Sequence, residues 1–313
     1  MYRALGVAIV LGSLLASERI VGASEHENGL LVKIVDLERK HGAMCMPPGG
    51  EADLRSPLAL LTNDIAPESG LGKGGPEEVE SLNHRIFNQA GIRASADLKD
   101  PCNLLPSRVL ERKQGYCVGI AALYLVLAEQ LALPIYAVAT PSHVFLRYDD
   151  GTTRINIETL QGGANVPDEQ YVREQKIPEE SIRRGVFMRN LSTDEFLAQM
   201  HNNLGVVYSE RKQYDLATNE YETALDLDAR LPAALYNWGN DLLREREYRK
   251  AIRRFSKSLR LYPTDVWALN NRGLAYGKLG KREKARRAFE EALRIDPGFE
   301  QAQRNLENTR SRP

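Results

Sequence analysis

The sequence predicts an α+β domain followed by an all-α repeat solenoid. Residues 117–133 form a nearly continuous apolar run, which is typical of a buried helix, and the hydrophobic period changes soon afterwards to two, as in β-strands. From residue 198 onward, small and aromatic residues recur every 34 residues, which is typical of stacked helical hairpins. The chain of 313 residues is long enough to hold both parts.

The composition is that of a folded globular protein. Hydrophobic residues make up 42% of the chain and charged residues 27%, with a formal net charge of zero. No basic patch is interleaved with aromatic residues, so nucleic-acid binding is not expected. The glycine-rich residues 69–76 do not form a phosphate-binding loop, because Pro67 and Gly74 occupy two of its defining positions. We therefore expect no cofactor.

The first 23 residues have the features of an export signal. Arg3 supplies a positive charge, residues 4–16 are apolar, and residues 21–23 end in small residues suited to cleavage. The apolar stretch is shorter than the about 20 residues that a helix needs to span a bilayer. We expect residues 1–23 to be a signal peptide, with no stable membrane span after cleavage, and a periplasmic or secreted protein. An uncleaved N-terminal anchor is the alternative.

The chain has three cysteines. In an exported protein an odd number usually means one disulfide and one free thiol. Cys45 and Cys102 both lie in loops flanked by proline or glycine, which suits a disulfide between them. We therefore hypothesise that these two cysteines pair.

A mixed α+β domain is expected over residues 30–190. Its central helix, residues 117–133, is apolar on nearly all sides and is followed by Pro134, which stops it. Residues 167–184 are polar and irregular, and the sequence predicts a linker or a flap there.

A β-hairpin is expected directly after this helix. Residues 144–148 and 153–157 alternate like strands, with a strong turn signal between them. If Asp150-Gly151 is a two-residue type I′ turn, His143 lies opposite Glu158, with Cβ atoms about 5 Å apart. The hairpin thus predicts a histidine–carboxylate pair. The opposite face is more aliphatic, so further structure must cover that aliphatic face if the helix of Cys117 packs near His143.

Cys117 begins the apolar helix, where the positive end of the helix dipole favours a thiolate. With the histidine–carboxylate pair it supplies the nucleophile, base and orienting group of covalent catalysis. The alternatives are a small core cysteine and a purely structural His–Glu pair. The backbone N–H of Cys117 is the natural oxyanion donor, to which Gln114 or Tyr116 could add a side chain. No metal site is expected, because Cys45 and Cys102 lack ligand-pair spacing.

Residues 103–163 resemble the bacterial SirB-type branch of the transglutaminase-like superfamily. The matching pieces are VLERKQGYC, LALPIYAVATPSH and NIETLQGG. The resemblance implies a papain-like fold, with a cysteine at a helix N-terminus and a histidine and an acid on neighbouring strands. By it, Cys117 is the nucleophile, His143 the general base and acid, and Glu158 the orienting carboxylate. The wider superfamily commonly has aspartate at this third position.

The 34-residue pattern contains two small positions and one aromatic position in each unit. They are Gly205, Gly239 and Gly273; Ala217, Ala251 and Ala285; and Tyr221, Phe255 and Phe289. Small residues let two helices approach closely, and we expect the aromatic residue to fill the gap to the next hairpin. The pattern resembles the tetratricopeptide repeat, with three repeats over residues 198–299 and a capping helix or tail over residues 300–313.

The resemblance to tetratricopeptide repeats implies a concave groove lined by their first helices. The groove positions hold asparagine and aromatic residues, namely Asn202, Asn203, Tyr236, Asn237, Asn240, Trp267, Asn270 and Asn271. Amides can pair with the backbone of an extended peptide and aromatic rings can anchor it, so the expected partner is a protein or peptide. The lysines of a clamp for chaperone tails are absent. Alternatively, some asparagines only bond neighbouring helices.

Two functions from different classes follow. The first is an exported cysteine-dependent enzyme that transfers the acyl group of an amide to water, as a protease or amidase, or to an amine, as a transglutaminase. The second is a non-catalytic binding or assembly scaffold that uses the repeats. Reactivity of Cys117 discriminates between them, because only the enzyme needs an accessible thiolate.

Overall fold

The computed structural model describes residues 29–42, 45, 75–95 and 100–310. The chain divides into two compact units, residues 1–52 and 53–313. The expected signal peptide, residues 1–23, lies outside the described residues. No helix among the described residues is long and apolar enough to cross a membrane.

The first unit contains one described helix, α1 (Leu30–His41). Leu30, Ile34 and Leu37 are buried on it, with the spacing of an amphipathic helix. Cys45, in the turn that follows, is disulfide-bonded.

The second unit begins with the α+β part. Its helices are α2 (Pro76–Asn83), α3 (Pro106–Arg112), α4 (Cys117–Gln130), α5 (Asp168–Glu174) and α6 (Glu179–Arg183). Within the described residues of this part, a π-helical turn (His84–Gln89) and two 3₁₀ turns (Pro101–Leu104 and Thr159–Gln161) complete the helical structure. Every residue of α4 from Val118 to Ala128 is buried, as the apolar run predicts. Cys102, in the first 3₁₀ turn, is disulfide-bonded.

Two small sheets accompany these helices. In the first, β1 (Arg93–Ala94) pairs in parallel with β2 (Gln114–Gly115). The second is antiparallel and consists, in spatial order, of β3 (Ile135–Ala139), β4 (Val144–Asp149) and β5 (Arg154–Ile157).

The predicted two-residue turn between β4 and β5 is wrong. Asp149 pairs with Arg154, so four residues form the loop and the register is shifted by two positions. Asp150 organises this longer loop, because its Oδ1 accepts hydrogen bonds from the backbone N–H of Thr152 (2.8 Å) and Thr153 (2.6 Å). A shift of two residues keeps every side chain on its face of the sheet, so the predicted faces are retained.

Both faces of the β3–β4–β5 sheet are covered. Helix α4 packs against β3 and β4. A second cluster joins the sheet to the segment of residues 166–188, and consists of Val138, Phe145, Val166, Tyr171, Ile177, Val186, Phe187 and Met188. The prediction of a linker or a flap at residues 167–184 is therefore wrong, because this segment folds into α5 and α6 and belongs to the core.

A buried arginine fixes this segment to the sheet. Arg147 of β4 is 1% exposed and donates to Asn156 Oδ1 (2.8 Å), Asp168 Oδ1 (2.5 Å) and the carbonyl oxygen of Met188 (3.2 Å). Its charge is thus paired with that of Asp168, and each of its three nitrogens donates a hydrogen bond, as burial of a guanidinium requires. The beginning and the end of the segment are held at one point on β4.

The remainder of the unit is all helical. Antiparallel hairpins are formed by α7 (Thr193–Glu210), α8 (Tyr214–Leu227), α9 (Pro232–Arg244), α10 (Tyr248–Leu261), α11 (Val266–Lys278) and α12 (Arg282–Ile295), with α13 (Glu300–Arg310) last. The predicted fold class, an α+β domain followed by a helical repeat solenoid, is confirmed.

The repeated glycines and aromatic residues pack against each other within one hairpin. A Cβ atom added to Gly205 would lie 2.5 Å from the ring of Tyr221, and the same relation joins Gly239 to Phe255 and Gly273 to Phe289. The aromatic ring therefore occupies the space of the missing side chain in its own hairpin. This corrects the expectation that it chiefly fills the gap to the next one.

The array is docked on the α+β part. Arg184 donates to the carbonyl oxygen of Arg260 (2.7 Å), and Ser181 donates to that of Leu261 (3.1 Å). The ring of Phe187 meets the ring of Tyr262 edge-on, with centroids 5.2 Å apart. The segment that covers the sheet is therefore also the one that holds the second repeat, so the array has a fixed place beside the sheet.

Candidate active site

Cys117 is the first residue of α4 and a free, half-buried cysteine. Its position is set by the 3₁₀ turn beside it, because the backbone N–H of Tyr116 donates to the carbonyl oxygen of Asn103 (2.9 Å). Gly119 makes this approach possible, since a side chain there would collide with the same carbonyl group. As a first-turn residue, Cys117 has a backbone N–H that the helix does not use.

His143 ends the loop between β3 and β4. Its carbonyl oxygen accepts hydrogen bonds from Thr140, both from the backbone N–H (2.8 Å) and from Oγ1 (3.0 Å). On the other side of the loop, Ser142 donates from its Oγ to Gln175 Oε1 (3.0 Å). These bonds close the loop and fix the direction in which the imidazole leaves the sheet.

The structure brings His143 and Glu158 into contact. Nε2 of His143 lies 2.8 Å from Oε2 and 3.0 Å from Oε1 of Glu158, which follows β5 directly. Two further donors hold this carboxylate, the backbone N–H of Leu160 (2.9 Å) and the hydroxyl of Tyr171 (2.7 Å). Glu158 is 3% exposed, so its charge is stabilised by these three donors in place of water.

Cys117 lines the same cavity as His143, and the hydrogen bond and charge of its side chain raise the pKa of the imidazole. Because Nε2 faces Glu158, Nδ1 is the ring nitrogen left for the sulfur. The arrangement is a chain of three side chains, from sulfur to imidazole to carboxylate. These are the same three residues that the sequence singled out, brought together from a helix start, a hairpin loop and a strand end.

Electrostatics favour the charged form of the imidazole. Burial by itself would lower the pKa of His143, but the hydrogen bonds and negative charges of Cys117 and Glu158 raise it to about 10. Burial likewise opposes ionisation of Glu158, yet the hydrogen bond and charge of His143, with the Tyr171 hydrogen bond, lower the pKa of this carboxyl. The site therefore holds an imidazolium–carboxylate pair at neutral pH.

Tyr171 is a site residue that the sequence interpretation missed. It lies on α5, stacks on Phe145 with ring centroids 4.2 Å apart, and lies 6.3 Å from the ring of His143. The sequence contains a signal for the start of α5, because Pro167 is followed by Asp168 and Glu169, and such an acidic first turn is typical of a helix N-terminus. The overall polarity of the segment made this helix start hard to distinguish from a loop.

A cavity of about 1000 Å³ opens beside Cys117 and His143 and extends to the repeat array. Four of the predicted peptide-binding residues line it, namely Asn203, Tyr236, Asn237 and Trp267. Asn202 lines it as well, whereas Asn240, Asn270 and Asn271 do not. Trp267 is 49% exposed, and its ring meets Phe299 edge-on.

Several groove asparagines bond their neighbours. Nδ2 of Asn237 donates to Asn202 Oδ1 (2.9 Å), and Nδ2 of Asn271 donates to Asn240 Oδ1 (2.8 Å). Asn203 donates to the carbonyl oxygen of Gln199 in its own helix (2.8 Å). The first two bonds join the first helices of successive repeats, and the third lies within α7. These amide groups therefore bond neighbouring helices or their own helix, and the amide atoms that make none of these bonds are available to a ligand.

Comparison with known proteins finds two kinds of family model along the chain. The family model of the transglutaminase-like superfamily matches residues 53–203, and tetratricopeptide repeat models match residues 198–230 and 230–297. The "UPF0162 protein" of Xylella fastidiosa (strain 9a5c) is 23% identical, over 71% of this chain and 69% of its own length.

Two further similarities concern shorter stretches. The "Type IV pilus assembly protein PilF" of Pseudomonas aeruginosa is 28% identical, over 48% of this chain and 58% of its own length. Among solved structures, the Arabidopsis OM64 TPR domain is 21% identical and covers 38% of this chain and 99% of that domain, with a TM-score of 0.37. The chain thus carries a transglutaminase-like superfamily domain over residues 53–203, followed by tetratricopeptide repeats over residues 198–297.

Proposed function

We propose that this protein is a cysteine-dependent acyl-transfer enzyme that acts on amide bonds. The observation that carries the proposal is the hydrogen-bonded pair of His143 and Glu158 beside Cys117, which lines the same cavity and raises the pKa of the imidazole. This is the order of nucleophile, proton carrier and orienting group that covalent catalysis requires.

The reaction begins with attack of the Cys117 thiolate on the carbonyl carbon of the substrate amide. A C–S bond forms, and the backbone N–H of Cys117 stabilises the oxyanion. The His143 imidazolium then gives its proton to the amine as the C–N bond breaks. Glu158 holds the ring in place throughout and stabilises its charge.

The resulting thioester is released by a second nucleophile. His143, now neutral, takes a proton from water or from an amine as that nucleophile attacks the acyl carbon. The C–S bond breaks and the thiolate is restored. Water gives hydrolysis, as in a protease or amidase, and an amine gives transamidation. Both outcomes use the same three side chains.

In this proposal the array binds the polypeptide on which the enzyme acts. Asn203, Asn237 and Tyr236 face the cavity with unoccupied polar atoms or ring surface, and Trp267 offers an exposed aromatic face. Asn240 and Asn271 support the groove, because their amides join neighbouring repeats. Exchange of Asn237 and Asn271 for alanine is expected to weaken partner binding without loss of helical content in circular dichroism.

We also propose export of the protein, on the basis of the signal-like residues 1–23. The name of the Pseudomonas aeruginosa relative assigns that protein to type IV pilus assembly. Fractionation of cells that express the full chain with a C-terminal tag, and N-terminal sequencing of the product, test this. Recovery of uncleaved chain from the cytoplasm would contradict export.

The decisive experiment is alkylation of Cys117 with iodoacetamide at pH 6–7, with the adduct mapped by mass spectrometry. We expect rapid labelling of the folded protein and at least about tenfold slower labelling of His143→Ala, because the imidazolium stabilises the thiolate. A thiol that labels only after denaturation would favour the scaffold. Proteomes exposed to the wild type and to Cys117→Ala are then compared for new termini or isopeptide links, which would identify the acceptor.

A further inference from the structure

One cavity connects Cys117 and His143 with the concave face of the array. We propose that it is a single cleft for an extended polypeptide that carries a lysine or arginine side chain on the array side of the reacting amide. This inference rests on the proposed function of Cys117 and names its substrate class. Four features of the cleft carry it, namely charge, unpaired carboxylates, free amides and an exposed aromatic ring.

The cleft is lined by more acidic than basic side chains. The carboxylates are Glu174, Asp228, Asp265 and Asp296, whereas the cations are Lys176, Arg230 and the imidazolium of His143. Three of the four carboxylates lie on the array, in the turns where a second helix gives way to the next repeat. An acidic wall between low-dielectric surfaces attracts a cationic ligand and repels an acidic one.

The three array aspartates have no ion-pair partner within the described residues. They accept only backbone hydrogen bonds, Asp228 from Arg230 (2.9 Å), Asp265 from Ala268 (3.0 Å) and Asp296 from Gly298 (3.1 Å). Burial raises the pKa of the Asp228 and Asp265 carboxyls, so both would be stabilised by a cation. A bound lysine or arginine supplies one.

A second observation points to the backbone of the ligand. Gln199 of α7 lines the cleft while only 7% exposed, and its side-chain amide makes no hydrogen bond within the described residues. Beside it, Asn202 uses its Oδ1 for Asn237, and Asn203 uses its Nδ2 for a carbonyl of its own helix. The amide atoms that are left donate and accept, as the peptide groups of an extended chain require.

Trp267 supplies a surface for the cationic side chain. Trp267 lies two residues after Asp265, and its ring is half exposed at the cleft. A guanidinium or ammonium group above an indole face is attracted by the ring quadrupole. Aspartate and tryptophan together therefore favour a long cationic side chain over an aliphatic one.

The test measures binding of two fluorescein-labelled peptides to the full chain carrying Cys117→Ala. Both have twelve residues of glycine, serine and asparagine, with three lysines in one and three glutamates in the other. We expect the lysine peptide to bind at least about tenfold more tightly at low salt, with the difference reduced by added NaCl. Equal binding of the two peptides, binding of neither, or tighter binding of the glutamate peptide would overturn the proposal.

A matched pair of variants locates the charge. Asp228→Asn, Asp265→Asn and Asp296→Asn combined retain the backbone hydrogen bonds, because asparagine also accepts them. We expect this variant to lose most of the preference for lysine. The control removes three carboxylates of the array that do not line the cleft, by Glu222→Gln, Asp226→Asn and Glu300→Gln. An equal loss in the control would show a general charge effect and would contradict the proposal.

Alkylation of the wild type separates this inference from the proposed function. If the lysine peptide occupies the cleft, it slows labelling of Cys117 by iodoacetamide, and the glutamate peptide does not. An unreactive Cys117 with intact selectivity for lysine would overturn the enzyme but not the cleft. A reactive Cys117 that neither peptide protects would overturn the cleft but not the enzyme.

Discussion

The hydroxyl of Tyr171 donates a 2.7 Å hydrogen bond to Oε2 of Glu158, the same oxygen that lies 2.8 Å from Nε2 of His143. Burial, with the hydrogen bond and charge of Glu158, raises the pKa of this phenol, so it stays protonated and remains a donor. Tyr171 comes from a segment that folds back over the sheet after β5. The geometry of the candidate site thus depends on a helix outside the three-residue motif.

Tyr171→Phe removes this donor and keeps the ring that stacks on Phe145. The variant should lose about 1–2 kcal/mol of unfolding free energy, because a buried carboxylate loses a partner. Alkylation of Cys117 at pH 7 should slow by roughly two- to tenfold, since the imidazole is held less firmly. Urea unfolding and labelling rates measure both. Tyr136→Phe, at an exposed tyrosine of β3, is the control and should change neither.

Glu158→Gln tests whether the carboxylate controls the imidazole. The amide has one acceptor oxygen, so it can keep the bond from Leu160, which reaches Oε1, or the bond from Tyr171, which reaches Oε2, but not both. The negative charge is gone, so the pKa of His143 should fall. Cys117 labelling at pH 7 should slow in parallel. The chain offers a matched control in Glu220→Gln, which disrupts a second His–Glu pair, His201 Nδ1 and Glu220 Oε2 at 2.7 Å, in the array. Equal loss of Cys117 reactivity in the control would refute a specific role of Glu158.

The raised pKa of His143 predicts a pH dependence of stability. The folded protein holds this proton up to about pH 10, whereas an unfolded histidine releases it near pH 6.5. The stabilisation is therefore complete below pH 6.5 and is lost as the pH rises from 6.5 to 10. The difference in unfolding free energy between the wild type and His143→Gln should shrink over this window. A constant difference across pH 6–10 would contradict the raised pKa.

The effect of Cys117 on the pKa of His143 can be measured by NMR. Alkylation with iodoacetamide makes the sulfur of Cys117 neutral, which removes one of the two charges that raise the pKa of His143. The ring signal of His143 should titrate at a lower pH in the alkylated protein than in the unmodified protein. An unchanged titration would show that the sulfur does not influence the ring.

Two glycines of α11 predict opposite effects of the same substitution. Gly273→Ala places a methyl group 2.5 Å from the ring of Phe289 and should destabilise the protein by about 1–3 kcal/mol. Gly277→Ala meets its nearest atom, in Ala285, at 3.9 Å and should stabilise the helix by about 0.5–1 kcal/mol. The midpoint of thermal unfolding, followed by circular dichroism, measures both. Loss of stability in both variants would contradict the packing argument.

Patterns of short range were enough for much of this architecture. The apolar run after Cys117 and the 34-residue period identified α4 and the repeat hairpins, because burial imposes its period directly on the sequence. The hairpin register was not predictable in the same way. Asp150 captures two backbone N–H groups and lengthens the loop to four residues, which the presence of an Asp-Gly pair alone does not reveal.

Tertiary contacts decided what surrounds the site. Residues 167–184 look like a linker because their helices are short and polar. They are held on the sheet by an apolar cluster that includes Phe145 and by the buried Arg147 of β4, which the sequence places on an ordinary strand. The position of the array beside Cys117 depends on Arg184, Ser181 and Phe187, which carry no periodic signal.

Local features of the sequence were sufficient to predict the fold class and the repeat register and to select Cys117, His143 and Glu158, since helix starts, turns and periodic burial depend on residues close together in the chain. The partnership of Tyr171 with Glu158 and the shared cavity of the groove and Cys117 became visible in the folded chain alone. These contacts join residues far apart in the sequence, where side-chain shape and hydrogen-bond geometry select the partner and no sequence period reveals it.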